Sequence, residues 1–392
     1  MIIFSTSILL AVLCLRLRKI PLVSPYGMFI AFQCLYNVVP WVAGLMLPLA
    51  FDVDPDVIRV QLWLSASANV AFALVALIPR IPHPLLEDRE FLNDRAAMHY
   101  LWWSLPVFLI AAVLCHFYGW HTFVSAANVD EGTVMNQLAS YSKHACVAVQ
   151  LYAITRFGMR RLTWLLFFAL MALMIIDGSR TDFFPVIVIN LMLWQEVRKV
   201  KLGKLATILA LGLVLMQVVR GVVVGNTGFD MVGGPFLTEA YMGSFATRQS
   251  ISAIQRMTDP PYQLGVGSVD TWAKVIYDRI PGKFAPLGGF YFETEAIAHF
   301  GYFGPAIFAF AFGLLLRLSE RWKRGHPLFY LAFLASAGIL FVKTPLLNSA
   351  KLMISCLFFL AVIYWLGRAR RLLAWVLSSQ LHVVHDATGA AV

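Results

Sequence analysis

Charged residues are scarce in this sequence, and none stands at the middle of a long apolar run. Asp, Glu, Lys and Arg make up 13% of the 392 residues, against 60% hydrophobic residues, and the mean hydropathy is +0.74. A soluble protein of this size carries far more charge on its surface. The scarcity therefore excludes an ordinary soluble globular protein and predicts a polytopic membrane protein.

Cysteine is also rare, and its positions exclude two kinds of cysteine site. The chain has five cysteines, all inside apolar runs and none in a CxxC or His/Cys metal-binding spacing: Cys14, Cys34, Cys115, Cys146 and Cys356. Cysteines so placed predict neither a disulfide framework nor a zinc site. We expect them to be small packing residues.

Apolar runs of about 20 residues, the length that crosses a bilayer, recur along the chain. Eleven such runs are centred near Leu9, Leu35, Asn69, Ile110, Val149, Leu170, Ile189, Leu211, Phe308, Phe333 and Leu360. We expect an all-α fold, a polytopic membrane helix bundle of about 11 transmembrane helices in which residues 1–392 form a single transmembrane domain. Residues 223–289 would form one large loop between transmembrane helices 8 and 9, and a loop of this length is usually functional or disordered.

Lysine and arginine cluster in alternate connections between the runs, which predicts the orientation of the chain. The basic connections lie near Arg16, Arg80, Arg156, Arg198, Arg317 and Arg368 and are expected in the cytoplasm, whereas the large loop is expected outside. The N-terminus is then on the outer side of the membrane and the C-terminus on the cytoplasmic side. This distribution accounts for the formal charge of +10. A nucleic-acid partner is not expected, because no basic patch is interleaved with exposed aromatic residues.

Polar residues within the first spans have two readings. Asn37, Asn69, Ser65 and Ser67 are placed to form hydrogen bonds between helices. Alternatively, they line a substrate groove.

The large loop has helical patterning of its own. Apolar residues recur at three- or four-residue spacing in 237–257, which includes Arg248, and again in 269–280, which includes Arg279 at its end. Both segments are expected to be amphipathic helices at the outer membrane interface. A lid, a partner surface and plain membrane contact all remain open.

Two arginines stand at the outer ends of apolar runs. Arg180 lies in a tight turn between Asp177 and Asp182, and Arg220 comes shortly before the polar exit of the eighth run. Arg180 is either a headgroup anchor or an anion-binding group. Arg220 lies slightly inside the predicted boundary, where a charge usually faces the bundle interior or a water-filled cavity.

The loop ends at two carboxylates and a histidine. Glu293, Glu295 and His299 lie where the chain is expected to re-enter the membrane, and Glu295 and His299 are i,i+4 neighbours on one helix face. A carboxylate and an imidazole at such a boundary are suited to acid–base chemistry. The alternatives are a helix-start carboxylate for Glu293 and an interhelical hydrogen bond for His299. Gly301 and Gly304 would let a neighbouring helix approach closely.

The charges at the outer rim favour one reaction class over transport. A transporter more often places ionisable groups near the membrane midplane. Arginines beside one or two carboxylates suit the binding of an anionic leaving group and the deprotonation of an alcohol. Since the chain has no DxD cluster to bring a metal ion to a diphosphate, arginine would neutralise that group. Glycosyl transfer from a polyprenyl-diphosphate sugar is one of several activities compatible with this pattern.

Two motifs make the sequence similar to the O-antigen polymerase family, the Wzy-type oligosaccharide repeat-unit polymerases. One is Gly178-Ser-Arg-Thr181 after a long apolar run. The other is Phe292-Glu-Thr-Glu-Ala-Ile-Ala-His-Phe-Gly-Tyr-Phe-Gly304, in which Glu295 precedes an aromatic-Gly-x-x-Gly pattern. The family often has Asn before that aromatic residue, where this chain has His299. Together the motifs cover about 20 residues.

The resemblance implies a multi-pass enzyme of the bacterial inner membrane that polymerises undecaprenyl-diphosphate-linked repeat units at the periplasmic face. The growing glycan moves from one carrier to the non-reducing end of another repeat unit, and undecaprenyl diphosphate is released. The implied partners are the lipid-linked donor and acceptor, with a chain-length regulator protein as a further candidate. We expect no cofactor and no metal site.

These considerations give the expected site residues. We expect Glu295, which matches the family's glutamate, to be the catalytic base with His299 beside it, although the histidine is an alternative base. Diphosphate binding is assigned to arginines on the outer side: Arg180, Arg220, Arg248 and Arg279. An O-antigen ligase, which transfers glycan to lipid A-core, and a polysaccharide flippase or transporter are the alternative functions.

Overall fold

The structure is a computed structural model that describes residues 1–22, 24–46, 54–79, 94–118, 134–177, 189–194, 207, 244, 247–256, 292–340 and 350–369. All regular secondary structure in these residues is helical, which confirms the all-α class for the described part of the chain. In chain order, the labelled helices are α1 Ile2–Leu17, α2 Pro25–Met46, α3 Pro55–Ala76, α4 Asp94–Tyr118, α5 Val134–Phe157, α6 Arg161–Asp177, α7 Phe292–Phe300, α8 Gly304–Ser319, α9 Trp322–Gly325, α10 Pro327–Leu340 and α11 Ala350–Ala369. Helical residues also occur at 189–194 and 247–256.

Four helical stretches are long and apolar enough to cross a membrane: Pro55–Ala76, Arg95–Tyr118, Phe292–Ser319 and Ala350–Ala369. The chain is therefore a membrane protein with helical spans. Ten of the eleven predicted span centres fall on described helical residues, and the eleventh, Leu211, lies outside the described part. The number of spans, the sidedness and the periplasmic loop remain predictions.

Helix α3 is fixed at both ends by specific contacts. At its start, the Asp54 side chain accepts a hydrogen bond from the Asp56 backbone N–H at 2.9 Å, and Pro55 occupies the first helical turn. At its end, Arg317 of α8 donates to the Ala76 carbonyl oxygen at 2.7 Å and also contacts the Ile78 carbonyl. The C-terminal ends of α3 and α8 thus lie side by side.

The core that positions the site consists of α1, α2, α3, α7 and α8. Phe29 of α2 stacks on Phe72 of α3 with ring centroids 4.1 Å apart. Helix α8 lies close to α3 at Gly313, where a Cβ atom would meet Phe72 and Val75 at 3.2 Å. Helices α4, α5, α6 and α10 form the second packed group. None of the five cysteines forms a disulfide; four are buried and Cys34 is half-buried, as expected for packing residues.

Helix α7 turns back on α8 instead of continuing into it. The rings of Phe292 and Phe308 stack with centroids 5.3 Å apart, whereas 16 residues of continuous helix would separate them by about 24 Å. The reversal takes place in a 3₁₀ turn at Gly301–Phe303. The stretch Phe292–Ser319 is therefore not one continuous helix but a short helix, α7, packed antiparallel to the longer α8.

Candidate functional site

Two glycines make the reversal between α7 and α8 possible. Gly301 has φ of +61°, a conformation in which a side chain would be strained. At Gly304, a Cβ atom would lie 1.9 Å from the carbonyl oxygen of Ala296. We expected both glycines to admit a neighbouring helix, but their role is local, since they let the chain fold back on α7 itself. The close approach between separate spans occurs at Gly313.

The helix at 247–256, part of the large loop, packs against α3 and α7. Ile251, Ala253 and Ile254 are buried with Val57 and Leu64 of α3 and with Ile297 and Ala298 of α7. The hydroxyl groups of Thr247 and Thr294 lie 2.9 Å apart in a hydrogen bond. The sequence predicted a helix within 237–257, and the described turns at 247–256 are helical and largely buried. Their position at the outer membrane interface stays a prediction.

Arg248 is held at this contact by a glutamine of α3. Its Nε–H donates to Gln61 Oε1 at 2.7 Å, and the residue is 6% exposed. Gln61 in turn donates from Nε2 to Ser244 Oγ at 3.0 Å. The arginine side chain therefore has a fixed direction within the bundle, as a preorganised anion-binding group requires.

Glu295 and His299 lie together on α7, as their spacing predicts. Glu295 Oε1 and His299 Nε2 are 3.9 Å apart, and their side chains are 7% and 14% exposed. The separation is longer than a hydrogen bond, but it is short enough for an ion pair when the imidazole is protonated. The imidazole is placed to orient the carboxylate or to exchange a proton with it after a small movement.

Glu293 lies much deeper than the sequence predicted. We expected it at the outer rim, but it is completely buried beside Ser65, the eleventh of the 22 residues of α3. The fold-back of α7 explains the difference, because it carries the start of the helix to half the height of α3. No Asp, Glu, Lys or Arg stands at the middle of an apolar run in the sequence, but the fold places the ionisable side chain of Glu293 beside the middle of α3.

Polar residues at four-residue spacing form a buried stripe along α3. Gln61, Ser65 and Asn69 are each at most 1% exposed and contact three different elements. Gln61 binds Arg248, Ser65 Oγ donates to Asn37 Oδ1 at 3.0 Å, and Asn69 Nδ2 donates to Ser7 Oγ at 3.0 Å. Asn37, Ser65 and Asn69 therefore form the predicted interhelical hydrogen bonds, whereas Ser67 donates to a carbonyl of its own helix.

The structure places three of the six expected site residues on two helices that are in contact. Arg248 lies next to Thr247, and Glu295 lies next to Thr294, so the hydrogen bond between the threonines joins the two helices that carry them. His299 belongs to the same helix as Glu295. Arg180, Arg220 and Arg279 lie outside the described residues.

Sequence reasoning missed two residues of this region, Gln61 and Gln33. The signal for Gln61 was the i,i+4,i+8 spacing of Gln61, Ser65 and Asn69 in an otherwise apolar run. Gln33 stands four residues before Asn37 on α2, and Asn37 Nδ2 donates to Gln33 Oε1 at 3.2 Å. Polar residues at helical spacing inside a span thus indicate a buried polar face.

Comparisons with known proteins found no match for this chain. No protein-family model, no curated protein and no solved structure matches the chain at a significant level. The function must therefore be argued from the residues themselves.

Proposed function

We propose that this chain is a membrane glycosyltransferase that polymerises undecaprenyl-diphosphate-linked oligosaccharide repeat units into O-antigen or a related surface polysaccharide at the periplasmic face. The observation that carries the proposal is the Thr247–Thr294 hydrogen bond of 2.9 Å. This contact joins the helix of Arg248 to the helix of Glu295 and His299. An anion-binding arginine and an acid–base pair therefore belong to one packed unit.

The proposed reaction uses these groups without a metal ion. The oxygen of an acceptor sugar hydroxyl attacks the anomeric carbon of the donor, and the bond from that carbon to the diphosphate oxygen breaks. Glu295 accepts the hydroxyl proton, and the leaving group departs as undecaprenyl diphosphate with its negative charge. Arginine stabilises that charge, since its planar guanidinium forms bidentate bonds with phosphate oxygens.

Each site residue has a separate role in this proposal. Glu295 is the base, and His299 orients it and relays its proton. Arg248 binds the diphosphate from a direction set by Gln61, and we assign the same ligand to Arg180, Arg220 and Arg279. The resemblance of the segment Phe292–Gly304 to the O-antigen polymerases supports the choice of reaction and of Glu295.

The decisive experiment is incubation of the purified protein with a lipid-linked repeat unit, followed by a gel. A ladder of increasing glycan length supports the polymerase, and Glu295→Gln should abolish it while the protein remains folded. Glu320→Gln is the matched control, because Glu320 pairs with Arg317 beyond the other end of α8. Transfer of preformed glycan to a lipid A-core acceptor without a ladder would identify a ligase instead.

One observation favours a second candidate, a polysaccharide flippase or transporter. Glu293 lies at half the height of a candidate membrane-spanning helix and next to a broken helix, two features that are frequent in ion-coupled transporters. Gradient-dependent movement of the lipid-linked repeat unit across vesicles, with no growth of the glycan, would favour that function over the polymerase.

A further inference from the structure

Three polar side chains of α2 and α3 meet near the buried carboxyl group of Glu293 on α7. Asn37 Nδ2 donates to Gln33 Oε1 at 3.2 Å, and Ser65 Oγ donates to Asn37 Oδ1 at 3.0 Å. Ser65 and Gln33 also lie beside the Glu293 carboxyl group. Neither oxygen of that carboxyl group has a hydrogen bond of ordinary geometry, and Gln33 Nε2 has none either. Glu293, Gln33, Asn37 and Ser65 thus form a ring of four side chains. The two hydrogen bonds of Asn37 are made, and the positions between Glu293 and its neighbours Ser65 and Gln33 are open.

The donors and acceptors left in the ring match a protonated carboxyl group. The Ser65 hydroxyl uses its hydrogen on Asn37, so its oxygen has lone pairs to accept a bond. The Gln33 amide has an unused N–H. A neutral Glu293 would donate its O–H to Ser65 Oγ and accept from Gln33 Nε2 through its carbonyl oxygen. Small side-chain movements would then close the ring with every donor matched to an acceptor.

An ionised Glu293 does not fit the same ring. A carboxylate only accepts hydrogen bonds, so Ser65 would have to turn its hydrogen from Asn37 towards Glu293. The Asn37 Oδ1 atom would then lose its donor inside the bundle, where an unpaired polar group is unfavourable. Ionisation would therefore break the hydrogen bond that joins α2 to α3.

Among the described residues, the groups beside the Glu293 carboxyl group are neutral. They are Gln33 of α2 and Ser65 of α3, and Asn37 of α2 binds both of them. The charged residues of these elements in the described part of the chain have other partners or are exposed. Arg248 binds Gln61, Glu295 pairs with His299, Asp56 pairs with Arg59 at the exposed start of α3, Arg317 binds the end of α3, and Arg256 is exposed. The titratable residues of α2 are the neutral Tyr26, Cys34 and Tyr36. The start of α7 favours a negative charge through the helix dipole, but this effect is smaller than the penalty for burying an unpaired carboxylate.

We propose that Glu293 is a proton-binding site inside the membrane bundle, and that its neutral acid closes a hydrogen-bonded ring with Ser65, Asn37 and Gln33. The bound proton holds α7 against α2 and α3. Since α7 also carries Glu295 and His299, Glu293 acts as a positioning residue for that pair. The proton site follows from the ring geometry alone and does not depend on which of the proposed functions is correct.

Infrared spectroscopy of the purified full-length protein tests the proton directly. In the difference spectrum of wild type minus Glu293→Gln at neutral pH, we expect the carbonyl stretching band of a protonated carboxylic acid. The band should shift in D₂O, because the acid proton exchanges. Glu320→Gln is the control and should remove no such band, since Glu320 is paired with Arg317 at 3.2 Å.

Ser65→Ala provides a second, independent test that retains the carboxyl group. Loss of the Ser65 acceptor should move the acid band, whereas Ser67→Ala should leave it in place because Ser67 bonds to its own helix. These two spectra test the proposal even if Glu293→Gln does not fold. A wild-type protein without an acid band at neutral pH would overturn the proposal, as would a band that neither Glu293→Gln nor Ser65→Ala changes.

Discussion

Arg248 and Gln61, which are 187 residues apart in the sequence, form a buried hydrogen bond of 2.7 Å between the guanidinium Nε–H and the amide oxygen. Gln61 is 1% exposed and Arg248 is 6% exposed. Because one partner is charged, this bond belongs to the stronger class of hydrogen bonds. It fastens the helix at 247–256 to the first half of α3 and fixes the direction of the arginine.

Replacement of Gln61 should therefore destabilise the protein and misplace the arginine. Gln61→Leu removes the acceptor while keeping a side chain of similar size, so Arg248 loses a buried partner. We expect a loss of about 1–3 kcal/mol in the free energy of unfolding, measured by thermal or denaturant unfolding in detergent. Ser67→Ala on the same helix is the control and should stay close to wild type, since the Ser67 hydroxyl contacts only its own backbone in the described structure. Equal stabilities of Gln61→Leu and wild type would contradict this account.

Substitutions of Arg248 should separate the contribution of its positive charge to polymer growth from that of its planar guanidinium group. Arg248→Lys keeps the positive charge but loses the planar fork and the Nε–H that binds Gln61. We expect it to rescue polymer growth only partly, and Arg248→Ala to lose about 2–4 kcal/mol of transition-state stabilisation. The value of kcat/KM for each variant relative to wild type, with the lipid-linked repeat unit as substrate, measures both effects. Arg220→Ala should show a similar loss, and wild-type polymer from that variant at normal expression would remove Arg220 from the site.

Glu295 and His299 should respond differently to conservative replacement. Glu295→Gln keeps the size but not the basicity, so we expect polymer growth to fall by about 10²–10⁴-fold. Binding of the lipid-linked substrate should persist. His299→Asn should be tolerated if the histidine only orients Glu295. The glycan ladder measures both variants, and the roles are reversed if Glu295→Gln polymerises normally while His299→Asn does not.

The reversal between α7 and α8 should depend on its glycines. Gly301→Ala forces a side chain into φ of +61° and should cost about 1–2 kcal/mol. Gly304→Ala should be more severe, because its Cβ would lie 1.9 Å from the Ala296 carbonyl oxygen. The measurement is the melting temperature in detergent. Gly367→Ala is the control, since nothing lies within 4 Å of its Cβ position. A Gly304→Ala variant as stable as Gly367→Ala would show that α7 does not fold back.

The predicted sidedness can be tested with reporter fusions. Fusions after Asp54, Asn226 and Ala350 should report a periplasmic location, and those after Asp88, Lys201 and Arg370 a cytoplasmic one. The two sets alternate because the basic connections alternate along the chain. A cytoplasmic result after Asn226 would exclude a reaction at the periplasmic face.

The sequence by itself determined the local features of this protein. The apolar runs determined the helical class, because backbone groups in lipid must be bonded within helices or closed barrels. Spacing along a single helix placed Glu295 beside His299, since residues four apart share a face. The polar residues Asn37, Ser65 and Asn69 predicted interhelical hydrogen bonds, because a polar side chain inside an apolar span needs a partner on another helix.

Only the tertiary structure decided the depth of Glu293 and the partner of Arg248. A helical pattern through Phe292–Ser319 predicts one continuous helix, and the pattern does not reveal that Gly301 adopts a positive φ and reverses the chain. That reversal moves Glu293 from the expected rim to a position beside Ser65, halfway along α3. The bond from Arg248 to Gln61 likewise joins residues far apart in sequence, and their meeting depends on how α3, α7 and the 247–256 helix pack together.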